Sequence, residues 1–167
     1  MKSQAYPVEG FDYCHSPIGL LELVSFQGRL VTCRFVQEEN LPAACPDTVT
    51  SLAVQQLNEY FNSKRQSFDL PFHYGGTAFK QAVVQELLNI PFGETRTYNE
   101  LARSVHSPSG SRAAGSVISR NPLLIIIPCH RVVGQNGSLT GYAGGLERKR
   151  WLIGHEMNTA IVPGRLF

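Results

Sequence analysis

Leu21 and Leu23, then Val31, Cys33 and Phe35, alternate with polar neighbours on either side of Gln27-Gly28. A period of two interrupted by turn chemistry predicts an antiparallel β-hairpin near the N-terminus. The period then changes. Ala53, Val54, Leu57, Tyr60 and Phe61 recur at helical spacing and stop at Asn62-Ser63, which predicts one helix packed on the hairpin. Asp69-Leu70-Pro71-Phe72-His73-Tyr74-Gly75-Gly76 breaks all periodicity with proline and paired glycines. A domain boundary is placed there, giving an α/β domain over residues 1–76 and a mainly helical domain over residues 77–167.

In the second domain a helix is expected from Thr77, with Phe79, Val83, Val84, Leu87 and Leu88 as its buried face and Pro91-Phe92-Gly93 closing it. Thr97-Tyr98-Asn99-Glu100 has the spacing of a capping box, which puts Tyr98 on the first turn of a helix. That helix is expected to run through Leu101 and Ala102 to about His106-Ser107-Pro108. Ser109 or Ser111 can cap a second one that continues to Arg120 and stops at Asn121-Pro122. Two short helices around a tight turn suggest a helix-turn-helix. Arg112, Ala113, Ala114, Gly115 and Ser116 give the second helix few bulky side chains, suited either to close helix packing or to close approach to another surface.

Leu123 to Ile127 is an unbroken apolar run that leads directly into Pro128-Cys129-His130-Arg131. A cysteine is therefore held at the edge of a core. Buried cysteines are ordinarily inert, and a free thiol is only about 3% thiolate at neutral pH, so a nucleophilic role needs a base or a positive charge nearby. His130 and Arg131 are both candidates. Sequence neighbours on an extended chain point in opposite directions, so His130 can act on Cys129 only through a turned backbone or a bridging water.

Composition narrows the setting. Cys14, Cys33, Cys45 and Cys129 form no CxxC pair and are too sparse for a disulfide scaffold, which predicts free thiols in a reducing compartment. No apolar run approaches the roughly 20 residues of a membrane span and no signal peptide is evident, so an intracellular protein is expected. Residues 91–167 carry nine Lys/Arg against four Asp/Glu, a balance of +5, whereas residues 1–90 carry six against nine, a balance of −3. The second domain is the one that could face a polyanion. Arg148-Lys149-Arg150 reads either as a solvated helix face or as part of such a surface.

Asn121-Pro122 followed by Ile127-Pro128-Cys129-His130-Arg131-Val132 resembles the signature of the O6-alkylguanine-DNA alkyltransferases, or methylated-DNA–protein-cysteine methyltransferases. The likeness extends over Pro91 to Thr95 with Tyr98, over Ser111 to Gly115, and over Gly141 to Gly145 as far as Trp151-Leu152 and His155-Glu156. The resemblance implies direct-reversal DNA repair, in which an alkyl group passes once from O6-alkylguanine, with O4-alkylthymine a second candidate, to Cys129. His130, acting through a water and oriented by Glu156, would take the thiol proton. Tyr98 would assist the leaving guanine and Asn121 would brace the turn that holds Cys129.

The same resemblance implies base flipping through the minor groove. Arg112 would fill the vacated stack, and Ala113, Ala114, Gly115 and Ser116 would approach the DNA. Val132, Tyr142, Ala143 and Gly144 would wall the base pocket. Many members have Ser where this chain has Ala143, so a backbone amide would have to serve there. The N-terminal domain is expected to resemble ribonuclease H in layout and to act as support. Some members bind zinc in that domain, but Cys14, His15, Cys33 and His73 do not match the spacing, so no metal and no cofactor are expected, with Cys33 facing the sheet core.

The expected partner is double-stranded DNA carrying the lesion. A monomer is expected, with cooperative binding along DNA left open, in the cytoplasm or in the nucleus of a eukaryotic cell. The rival readings are a non-catalytic alkyltransferase-like lesion sensor, which would lack the acceptor thiol, a Cys–His hydrolase, for which no oxyanion-hole motif is seen, and a helix-turn-helix regulator with a merely buried cysteine.

Overall fold

The computed structural model of the chain describes residues 8–106 and 110–160. The chain divides between Tyr74 and Gly75 into two compact units.

In the first unit the expected hairpin is formed by β2 (Gly19–Phe26) and β3 (Arg29–Val36), paired antiparallel. Gln27 and Gly28 both take positive φ, 50° and 66°, the backbone that two-residue hairpin turns require. A further strand, β1 (Gly10–Ser16), pairs antiparallel with β2 and gives the order β1-β2-β3. Its residues are mostly polar or half-buried, so no apolar alternation marks it in the sequence. The helix α1 (Thr48–Phe61) lays Ala53, Leu57 and Tyr60 into the core with Leu21, Leu23, Leu30 and Cys33.

Asp47 joins these two layers. Its carboxylate caps α1 by accepting from the Thr50 amide at 2.8 Å, and the Ser25 hydroxyl of β2 donates to it as well. Gly10 lies so close that a Cβ there would meet the Asp47 carboxyl carbon at 2.6 Å.

The second unit is helical around one small parallel pair. It contains α2 (Ala78–Leu88), β4 (Arg96–Thr97), α3 (Tyr98–Ser104), α4 (Gly110–Ile118), a 3-10 turn at Cys129–Arg131, β5 (Val132–Val133) and α5 (Leu146–Ala160). Thr77 caps α2, and Val83, Val84 and Leu87 are buried as expected. Leu88 is not. It lies about 100° around the helix from Leu87, outside the buried stripe, and is exposed. The Thr97 capping box forms in full: Glu100 accepts from the Thr97 amide at 2.7 Å and the Thr97 hydroxyl accepts from the Glu100 amide at 3.2 Å.

The α3 and α4 helices pack together as the expected helix-turn-helix. Ser111 is inside α4 rather than at its cap, and the alternative cap Ser109 lies outside the described residues, as do Ser107 and Pro108. The β4·β5 pair joins Arg96 to Val132 and Thr97 to Val133. At two residues per strand it is too short to leave a periodic trace in the sequence. Among the described residues no helix is long and apolar enough to cross a membrane.

Candidate active site

Leu123 to Ile127 is fully buried, and it is folded into tight turns. The Ile126 amide donates to the Leu124 carbonyl at 2.8 Å with Ile125 at φ 72°, a three-residue turn that is unfavourable for a β-branched side chain. Cys129 in turn donates its amide to the Ile127 carbonyl at 2.7 Å. Asn121, itself buried, braces this path. Its Nδ2 donates to Ile127 O at 3.0 Å, Leu123 O at 3.3 Å and the Cys129 sulfur at 3.1 Å, while its Oδ1 accepts from the Leu123 amide at 3.0 Å.

Cys129 opens the 3-10 turn, so the backbone does bend between it and His130. The thiol is 1% exposed. Burial pushes its pKa up to about 11, against the opposing effects of the Asn121 hydrogen bond and the Lys149 charge. The resting group is therefore the thiol. The His130 ring is wholly buried, with Nε2 2.7 Å from Glu156 Oε1, and Nδ1 has no hydrogen-bond partner. Burial holds the imidazole below its usual pKa although Glu156 pulls the other way. Glu156 stays ionised, since His130 and Arg131 outweigh its burial and hold it well below the usual carboxylate range.

Tyr98, on the first turn of α3, donates its hydroxyl towards Thr140 O at 3.2 Å and Gly141 O at 3.3 Å. Beside it lies a cleft of about 430 Å³ lined by Tyr98, Asn99, Arg112, Gly115, Thr140 and Gly141. The buried Cys129 does not line the cleft. On α4, Arg112 and Ser116 are exposed, Ala113 and Gly115 are half-buried, and Gly115 faces the Tyr98 ring. In the Gly137–Gly145 segment, Ala143 is exposed and Gly144 buried, and the buried Tyr142 ring meets His130 edge-on with centroids 6.4 Å apart. Val132 is fully buried in β5 and offers no side-chain surface to solvent.

Both units match known families. The profile described as "6-O-methylguanine DNA methyltransferase, DNA binding domain" covers residues 78–158, and that of the "ribonuclease-like domain" of the same proteins covers residues 11–74. The methylated-DNA–protein-cysteine methyltransferase of Mycobacterium tuberculosis is 42% identical over 91% of this chain and 94% of its own. The chain belongs to the 6-O-methylguanine DNA methyltransferase family.

The methyltransferase of Methanosarcina barkeri is 41% identical over 89% of this chain and 97% of its own. Among solved structures, the M. tuberculosis O6-methylguanine methyltransferase superposes with a TM-score of 0.79 at 41% identity, covering 91% of this chain and 94% of that one. The same enzyme in complex with DNA gives 0.79 at 41%, covering 89% and 93%. The fold is the ribonuclease-like α/β unit followed by the helical DNA-binding unit of this methyltransferase family.

Three features of the site were not visible in the family motifs. Both readings of Arg148-Lys149-Arg150, a solvated helix face or a polyanion-facing surface, put Lys149 outside, yet it is fully buried: its Nζ donates to Thr140 O at 2.7 Å and Gly141 O at 3.3 Å and lies 5.8 Å from the Tyr98 ring centroid. A run of Arg-Lys-Arg looks uniformly solvated, but on a helix successive residues are about 100° apart, so its middle member can face inward. Ala114, grouped by motif with the residues expected to approach DNA, is fully buried with Val117 and Ile118 and seats α4 on the core. Arg131, weighed only as a charge near the thiol, is buried and paired with Glu156.

Proposed function

We propose that Cys129 is the acceptor in a single-turnover transfer of an alkyl group from O6-alkylguanine in double-stranded DNA, with His130 as the proton acceptor. The carrying observation is the His130 ring, with Nε2 anchored on Glu156 and Nδ1 without a hydrogen-bond partner, one residue along the same turn from a thiol that burial keeps protonated. The reaction class is direct reversal of DNA alkylation. The thiol proton passes through a water to His130 Nδ1, the sulfur forms a bond to the alkyl carbon in line, and the carbon–O6 bond breaks with its electron pair going to the guanine. The thioether has no easy hydrolysis route, so the protein is consumed.

Tyr98 supplies the hydrogen bond that the departing guanine needs, its hydroxyl turning from the Thr140 carbonyl to the base. Asn121 fixes the sulfur through its 3.1 Å contact and holds the turn in front of it. The base must leave the duplex stack to meet a buried thiol. We assign Arg112 to the vacated stack and Ala113, Gly115 and Ser116 to the close approach in the minor groove, since these positions of α4 reach its surface. Tyr142, Ala143 and Gly144 wall the base pocket, with Val132 beneath it and Ala114 behind the helix. DNA places the reaction in the cytoplasm, or in the nucleus of a eukaryotic cell. A sensor without chemistry would lack the acceptor, whereas Cys129 stands in place.

Intact mass after incubation with a duplex containing O6-methylguanine tests this reading. A gain of roughly 14 Da on the native chain, stopping at one equivalent and absent from Cys129→Ser, is expected. Tight lesion binding with no mass gain would make the protein a sensor, and repeated product release from unmodified protein would sink the proposal.

A further inference from the structure

In a buried site Glu156 accepts from Gly93 N at 3.3 Å, Arg131 Nε at 2.8 Å, Arg131 Nη2 at 3.0 Å and His130 Nε2 at 2.7 Å. Arg131 is itself fixed by its third arm, Nη1, which donates to the Ile90 carbonyl at 2.6 Å, and its guanidinium lies 5.8 Å from the Phe92 ring centroid. The carboxylate thus has both oxygens gripped by one planar cation and no freedom to rotate. Without that cation, a buried carboxylate 2.7 Å from an imidazole would favour the imidazolium. With it, the guanidinium offsets part of the carboxylate's pull on His130, and burial of the ring opposes the remainder.

We propose that Arg131 is a positioning residue for the transfer: by clamping both oxygens of Glu156 it keeps Glu156 as the fixed acceptor of the His130 Nε2–H and leaves Nδ1 as the proton-accepting nitrogen of a neutral ring. The catalytic consequence rests on the reading of His130 as the base for Cys129. The titratable and charged groups around His130 are Glu156 and Lys149 from α5, Cys129 and Arg131 from its own turn, and Tyr142 from the glycine-rich segment. Burial, Arg131 and Lys149 disfavour the imidazolium and Glu156 favours it, so removing Arg131 leaves Glu156 opposed by burial and by the Lys149 charge.

The test uses Arg131→Met, with Arg131→Gln, which keeps a donor for the carboxylate, for the case where Met does not fold. The His130 titration midpoint and tautomer are read by ring-nitrogen NMR on protein that has met no DNA, so this readout does not depend on transfer. The single-turnover rate is then followed against pH by intact mass. In either neutral variant the midpoint is expected to rise by about one pH unit or more, and the acid limb of the rate profile to move with it, so that the loss below the new midpoint is ~10-fold larger than above it. Arg131→Lys, which keeps the charge but not the two-point grip, is expected to restore the midpoint while the rate stays low at every pH. An unchanged midpoint with a uniform rate loss in the neutral variants would reduce Arg131 to a structural residue and overturn the proposal. A raised midpoint with an unmoved acid limb would keep the clamp and overturn the assignment of His130 as the base.

Discussion

The Lys149 ammonium and the Tyr98 hydroxyl hydrogen-bond to the same two carbonyls, those of Thr140 and Gly141. A cation on α5 and a phenol on α3 thereby hold one stretch of the glycine-rich wall between them, and the same cation lowers the cost of a thiolate at Cys129.

Lys149 should leave a mark on the pH dependence of stability. Burial depresses its pKa to about 8, against roughly 10.4 in an unfolded chain. Between those values the unfolded chain binds more protons, so this group makes the folded protein gain stability as pH rises through that window. Lys149→Met removes the gain. Thermal melts from pH 7 to pH 10 should show the native chain improving relative to the variant, and a constant difference would contradict the buried ammonium.

Asn121→Ala deletes the brace in front of Cys129, removes the side-chain acceptor of the buried Leu123 amide, and leaves the Ile127 carbonyl with the Cys129 amide but without its Asn121 donor. Urea denaturation should show a loss of about 2 to 4 kcal/mol. Transfer should slow as well, because the sulfur loses its one side-chain hydrogen bond from Asn121. A fully stable variant would mean that the turn holds itself.

His130→Gln keeps a polar side chain in the buried site and removes the imidazole proposed as the base. Single-turnover transfer from O6-methylguanine DNA, followed by mass, should fall by about 10² to 10⁴ at neutral pH. The deficit should shrink as pH rises towards the thiol pKa of about 11, since hydroxide then does the work of the ring.

Arg112 is exposed at the start of α4, beside the cleft. If it fills the vacated stack, Arg112→Ala should slow transfer from duplex DNA far more than transfer from a free O6-alkylguanine base, which needs no flipping. Equal losses on both substrates would place Arg112 in the chemistry instead.

Thr97→Ala removes one half of a complete capping box at the start of the helix that carries Tyr98. Stability should drop by about 1 kcal/mol in a chemical melt. A much larger drop in transfer rate than in stability would show that the cap also sets the aim of Tyr98.

The sequence by itself determined the local elements and pointed to the candidate reacting side chains. The hairpin at Gln27-Gly28, the helix through Leu57 and Tyr60, the capping box at Thr97-Glu100 and the Asn121–Val132 signature all rest on neighbours a few residues apart, where periodicity and turn chemistry act. Tertiary structure decided what depends on distant partners. Lys149 is buried because α5 turns that face towards the carbonyls of Thr140 and Gly141, and Ala114 is core because α4 rests on it. β1 exists because β2 offers it an edge. Arg131 grips Glu156 across 25 residues of chain, and no spacing rule connects them. Propensity and pattern are properties of a segment, whereas burial and pairing of charge are properties of the place to which folding brings it.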